Sequence, residues 1–188
     1  GGPGSGKSYV AKEIFGMPTE KSISTKYDMK VVNSDTEFEH LLSKYGFETA
    51  EWETLDIDQW PDEVLMVATG EDSKGNKLDP NQMSVRDKAK GITKRRLKKY
   101  TEGRLGVIID GTGHDFAKLK NKKKEMEHLG YDCYMVAVNT TLDVAKMRNK
   151  TRVRALPEKI LVKSWKDVQN NLGKFQTLFR SNFKIVDN

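Results

Sequence analysis

Gly1-Gly2-Pro3-Gly4-Ser5-Gly6-Lys7-Ser8 opens the chain and fills every position of the pattern GxxxxGK[ST]. Glycines at this density let successive backbone N–H groups converge on one concavity, where a Cβ would obstruct them. The pattern therefore implies a loop that cradles the phosphates of a nucleoside triphosphate. Lys7 is then expected at the β and γ phosphates, and the Ser8 hydroxyl on Mg²⁺. Such a loop joins a buried strand to a helix whose N-terminus faces the anion, and Tyr9-Val10-Ala11-Lys12-Glu13-Ile14-Phe15 has the pattern of that helix. The preceding strand would lie before Gly1. On this reading, residues 1–188 form one P-loop domain lacking its first strand and truncated at the N-terminus.

The rest of the chain supports a layered α/β architecture. Apolar segments at Met29–Asn33, Leu105–Asp110, Tyr131–Val138 and Phe183–Asn188 read as strands. Helical spacing occupies Glu37–Tyr45, Met83–Tyr100, Phe116–Leu129, Thr141–Asn149 and Leu156–Leu178. This alternation predicts a mainly parallel sheet flanked by helices. From Glu48 to Asn81 the sequence is acidic and punctuated by turn residues, with a short helix expected around Glu63–Ala68. A substrate-specific insertion is expected over about residues 48–104.

Composition bounds the functional class. The 188 residues are 32% charged and 36% hydrophobic, enough for one full core. No apolar run approaches the ~20 residues of a membrane span. The lone Cys133 has no partner for an internal disulfide and is expected as a buried strand thiol in a cytoplasmic protein. The net charge of +6 conceals a contrast: Phe47–Ser73 carries only acidic charges, and Arg86–Arg104 is strongly basic. The basic stretch reads either as a face for a phosphorylated or nucleic-acid partner, or as a solvated helix whose charges meet the acidic stretch. His40, His114 and His128 are too scattered to suggest a metal site, and Trp52, Trp60 and Trp165 fit core packing better than base stacking.

Phosphoryl transfer needs phosphate and metal binding, a group to orient or deprotonate the acceptor, and cations for the transferring charge. Asp35, in Asn33-Ser34-Asp35-Thr36 at a strand's carboxyl end, suits the acceptor role; the alternative is that Ser34, Asp35 or Thr36 caps the following helix. Asp110 ends Val107-Ile108-Ile109 and precedes Gly111-Thr112-Gly113, the place where open α/β sheets hold ligands. It suits a carboxylate directed at Mg²⁺ or substrate, or a simple turn. Arg148, Arg152 and Arg154, with Lys146 and Lys150, crowd the segment before Pro157 and suit a lid over the triphosphate, or a solvated helix end.

These motifs resemble the zeta-toxin and polynucleotide-kinase-like group of P-loop kinases, common in phages and bacteria. Gly2–Ser8 resembles the donor loop of both branches, and Val31-Val32-Asn33-Ser34-Asp35-Thr36 is similar to the segment bearing the acceptor-activating aspartate. Asp110-Gly111-Thr112 looks like the acceptor pocket of zeta toxins, and Arg148-Asn149-Lys150-Thr151-Arg152 with Leu156-Pro157 resembles the lid of polynucleotide kinases. The resemblance implies an ATP- and Mg²⁺-dependent kinase acting on a polynucleotide 5′-hydroxyl or a nucleotide sugar. Its site would comprise residues 1–8 for the donor; Asp35, Asp110, Gly111 and Thr112 for the acceptor; and Ser8 and Asp110 for the metal. Two positions differ from the group's pattern. Phe38 stands where polynucleotide kinases usually carry an arginine, and Asp110 where zeta toxins usually carry glutamate. A non-enzymatic nucleotide-binding or assembly protein that retains the loop is the alternative from another class.

Overall fold

The computed structural model describes residues 1–46, 59–151 and 156–188. In chain order the elements are α1 (Lys7–Phe15), β1 (Lys30–Val32), α2 (Ser34–Lys44), α3 (Asp62–Thr69), α4 (Val85–Glu102), β2 (Val107–Ile109), α5 (Phe116–His128), β3 (Met135–Asn139), α6 (Leu142–Lys150), α7 (Glu158–Phe179) and β4 (Phe183–Asp187). Both strand pairs are parallel, β1 with β2 and β3 with β4. Helices intervene between the partners of each pair, as parallel pairing requires. The expected α/β class is thus what the chain adopts. Two compact units can be distinguished: Gly1–Glu20 with Gly111–Lys150 and Glu158–Asn188, and the described residues of Lys21–Asp110 and Thr151–Pro157.

In the first unit, β3 and β4 run in register from Met135 opposite Phe183 to Asn139 opposite Asp187. The Asn188 amide extends the ladder to the Asn139 carbonyl at 3.0 Å. Side chains bind the ends of these strands to α7: Asn139 Nδ2 donates to Asp187 Oδ1 at 2.9 Å, and Gln169 Nε2 donates to Asn139 Oδ1 at 2.8 Å. Helix α7 buries Leu161, Val168, Asn171, Phe175 and Phe179, spaced so that all five fall on one face. Trp165 on the same helix donates from Nε1 to the Thr140 carbonyl at 3.0 Å.

Strand β3 corrects the expected Tyr131–Val138. Its partner begins only at Phe183, after the turn at Arg180–Asn182, so Tyr131–Tyr134 have no ladder to join. Cys133 is therefore outside the strand and only half-buried. Burial, reinforced by Glu127, pushes its thiol pKa up, which favours the protonated, unreactive form.

In the second unit, β1 and β2 pair from Lys30 opposite Val107 to Val32 opposite Ile109, and the Asp110 amide continues to the Val32 carbonyl at 3.0 Å. β2 is shorter than the expected Leu105–Asp110 and is not buried: Ile109 is 43% exposed. Core formation falls instead to Phe38 and Leu42 of α2, Val64, Leu65 and Ala68 of α3, Val85 and Ala89 of α4, and Trp60. Part of the acidic region is thus structural: α3 supplies an apolar face and ends at Gly70, whose φ of 90° suits glycine. The turn beyond α3 is fixed by Asp72, which accepts from the amides of Lys74 and Asn76 at 2.9 and 2.8 Å. Residues 47–58, the most acidic part of the expected insertion, lie outside the described residues.

Two carboxylates on α2 meet basic helix α4. Arg86 Nη1 lies 3.4 Å from Asp35 Oδ1, and Arg96 pairs with Glu37. One of the two readings of the basic stretch set the acidic stretch as its counter-charge; α2 provides these two partners because the shared core lays it along α4. Glu37 is buried, whereas the Arg96 side chain is 40% exposed. Removing the cation leaves a buried carboxylate without that counter-ion, so Arg96→Ala should cost about 1–3 kcal/mol. Chemical denaturation should show the loss, and Glu37→Gln in the same chain should recover part of it.

Candidate functional site

The phosphate-binding loop is held by its own polar atoms and by what lies behind it. Ser5, 1% exposed, donates from Oγ to the Gly2 carbonyl at 2.8 Å, and Lys7 Nζ donates to the same oxygen at 2.9 Å. The Lys7 ammonium is thereby folded back over the loop, where an incoming phosphate would compete with a neutral carbonyl for it. Gly4 and Gly6 have φ values of 73° and 78°, which let the amides around Ser5 turn without strain. Helix α1 begins directly at Lys7 with Gly6 as its N-cap, so Lys7 and Ser8 occupy the first turn, where the N-terminal amides and the helix dipole favour an anion.

Close packing behind the loop explains its glycines further. A Cβ on Gly1 would sit 2.1 Å from the Val138 carbonyl oxygen of β3, and one on Gly4 only 2.5 Å from the Ala145 carbonyl oxygen of α6. Gly2 and Pro3 are buried. Asn188 Nδ2 donates to the Ser5 carbonyl at 3.0 Å, tying the loop to the residue after β4. No local sequence signal points to Asn188, since the contact spans nearly the whole chain. This cradle fits a polyphosphate: left-handed glycines, a lysine and a helix N-terminus converge in one short segment.

The proposed lid is only partly described. Arg148 donates from Nη1 to the main-chain oxygen of Asn188 at 3.3 Å, which places it beside the strand end that supports Ser5. Lys146 pairs with Glu158 at 2.6 Å, linking α6 to the first turn of α7. Their hydrogen bond raises the Lys146 pKa and lowers that of Glu158. Both groups therefore stay charged at neutral pH, and the pairing is lost as acid protonates Glu158. Arg152 and Arg154 lie outside the described residues.

In the second unit, Asn33, Asp35 and Asp110 stand at the carboxyl ends of β1 and β2. Asn33 is the N-cap of α2: its Oδ1 accepts from the Asp35 amide at 2.8 Å. Its Nδ2 donates to Asp110 Oδ2 at 2.9 Å. One side-chain amide therefore joins the beginning of α2 to the end of β2. The capping alternative for Asp35 gives way, because Asn33 performs that task. The Asp35 carboxylate, 50% exposed, is left at the strand end with Arg86 beside it. Asn33 and Arg86 were not among the sequence candidates; Asn33 was readable as an N-cap, while Arg86 arrives from a helix far along the chain.

Gly111 and Thr112 belong to the first unit and begin the loop leading to α5. Gly111 is exposed, and Thr112 Oγ1 is hydrogen-bonded to His114 Nδ1. Asn171 of α7 steadies this loop by donating to the carbonyls of Gly113 and His114 at 3.3 and 2.9 Å.

Gly4→Ala tests whether the loop needs its glycine backbone. The substitution would force a side chain into the left-handed region and against the Ala145 main chain, at a combined cost of about 2–4 kcal/mol. Thermal or denaturant unfolding should register that loss; unchanged stability would show that the loop does not require this conformation.

Comparison with known proteins adds one finding. No curated protein matches the chain. A family model, AAA_33, described as an AAA domain, matches residues 1–172, from the phosphate-binding loop into α7. With the loop, the parallel strands and their flanking helices in place, the chain belongs to the AAA_33 family, a nucleotide-binding P-loop domain of kinase type.

Proposed function

We propose that the protein is an ATP-dependent kinase of the zeta-toxin and polynucleotide-kinase-like kind. It transfers a γ-phosphate to a hydroxyl on a polynucleotide 5′ end or on a nucleotide sugar. The observation that carries this reading is the state of Asp35: the Asn33 cap relieves it of a helix-ending role and leaves a half-exposed carboxylate at the carboxyl end of β1. Ligand chemistry in α/β sheets takes place at such ends.

Each residue then has a defined task. The amides of residues 1–8 and the Lys7 ammonium bind the donor phosphates. Asp35 accepts a hydrogen bond from the acceptor hydroxyl, orients its lone pair for in-line attack and takes the proton as the new O–P bond forms and the bond from the γ-phosphorus to the β–γ bridging oxygen breaks, releasing ADP. Asp110, fixed by Asn33, holds the acceptor or the metal, with Gly111 and Thr112 contributing to acceptor binding. Arg148, Arg152 and Arg154 offset the charge of the transferring group. Mg²⁺, with the Ser8 hydroxyl among its ligands, would supply further charge neutralisation on the phosphate oxygens.

Transfer of labelled γ-phosphate by the full-length protein to a 5′-hydroxyl oligonucleotide and to UDP-N-acetylglucosamine tests this reading. Asp35→Asn should lower kcat by about 10²- to 10⁴-fold while leaving ATP affinity within about threefold. Full turnover by the variant would remove Asp35 from the chemistry. ATP binding without transfer to any acceptor would instead favour a protein that uses the loop for binding alone.

A further inference from the structure

We infer that Asn188 is a positioning residue of the donor site: its side chain fixes the Ser5–Gly6 peptide so that the Gly6 amide faces the incoming phosphates. Asn188 would act in this way on any nucleotide polyphosphate that the loop receives, whichever acceptor follows.

A trans peptide is planar, and its carbonyl and N–H point in opposite directions. Whatever holds the carbonyl of the Ser5–Gly6 peptide therefore decides where the N–H points. Asn188 Nδ2 donates to that carbonyl at 3.0 Å. On the other side of the same peptide, the Gly6 amide makes no hydrogen bond among the described residues. Gly6 is half-buried at the head of α1, next to Lys7 and Ser8, so its open donor suits an anionic oxygen.

Backbone preference alone does not set this orientation. Turning the peptide over changes ψ of Ser5 and φ of Gly6, and glycine accepts φ values of either sign at little cost. The other bonds within the loop leave this peptide untouched: the Ser5 amide, Ser5 Oγ and Lys7 Nζ all donate to the Gly2 carbonyl. With the peptide turned over, the Ser5 carbonyl oxygen would face the phosphates and repel them.

Asn188 is placed to prevent that. Its own amide donates to the Asn139 carbonyl at 3.0 Å, so its main chain is fixed to the β3–β4 ladder while its side chain reaches the loop. The carboxamide lies so near that a Cβ on Gly6 would come within 2.1 Å of Nδ2. The main-chain oxygen of Asn188 accepts from Arg148 Nη1, which lies 3.3 Å from the same Cβ position. One residue thus sets the loop peptide with its side chain and holds Arg148 with its main chain. The sheet itself has other ties here, since Asn139 joins Asp187 at the end of β4 to Gln169 of α7.

Calorimetric titration of the full-length protein with Mg²⁺-ADP tests the assignment. Asn188→Ala should weaken binding about 3- to 10-fold, because a fraction of the loops then rests with the peptide turned over. Asn188→Leu, close to asparagine in shape but without the donor, should lose as much, and Asn188→Gln, which keeps a carboxamide, should recover part. Gln169→Ala removes a bond at the same end of the sheet without touching the loop, and should stay within about twofold of wild type. Amide NMR gives the second readout. The Gly6 resonances of wild type and Asn188→Ala should differ without ligand and converge at saturation with Mg²⁺-ADP, since bound phosphate selects one orientation. Wild-type affinity in Asn188→Ala or Asn188→Leu overturns the assignment, as does an equal loss in Gln169→Ala or a Gly6 difference that saturation leaves unchanged. Failure of wild type to bind Mg²⁺-ADP overturns it as well. Absence of phosphate transfer with these affinities as expected would count against the kinase reading and not against Asn188.

Discussion

The side-chain amide of Asn33 imposes the constraint on which the acceptor-side geometry depends. Its oxygen caps α2 through the Asp35 amide and its nitrogen holds the Asp110 carboxylate, so β1, α2 and the end of β2 converge on one planar group. A side chain that could only cap would leave Asp110 without this donor, and one that could only donate would leave the first turn of α2 uncapped. With Asn33 as the N-cap, Asp35 stands in the first turn of α2 at the strand end, which is where its proposed chemistry needs it.

The phosphate loop reaches comparable definition by other means. Gly4 and Gly6 adopt left-handed backbone, Ser5 and Lys7 close hydrogen bonds within the loop, and Asn188 supports it from the end of β4. Backbone conformation therefore dominates on this side, whereas side-chain hydrogen bonding dominates around Asn33. That difference agrees with the ligands proposed: a polyphosphate chain offers repeated anionic oxygens to amides, while an acceptor hydroxyl needs one carboxylate at one position.

Much of this was legible in the sequence because it is local. The loop is one contiguous motif whose glycines are dictated by backbone dihedrals, and α7 shows its buried face in the spacing of Leu161, Val168, Phe175 and Phe179. Strand limits were less legible, since β3 begins where its distant partner Phe183 allows and not where apolar residues begin. Helix α2 starts at Ser34 and not at Glu37 because a side chain, Asn33, decides the boundary. Arg86 was hidden for the same kind of reason: its place beside Asp35 and Phe38 depends on the packing of α4 against α2, across about 50 residues of intervening chain. The basic stretch thus contained both cations that meet α2, Arg86 and Arg96, and composition could not pick them out from their neighbours.

Phosphorus NMR of the full-length protein incubated with Mg²⁺-ATP and each proposed acceptor tests the central claim most directly, because it reports where the γ-phosphate goes. The account predicts ADP and a new phosphomonoester in equal amounts with one acceptor. ATP that persists with every acceptor, or is converted to ADP and inorganic phosphate regardless of acceptor, would contradict it.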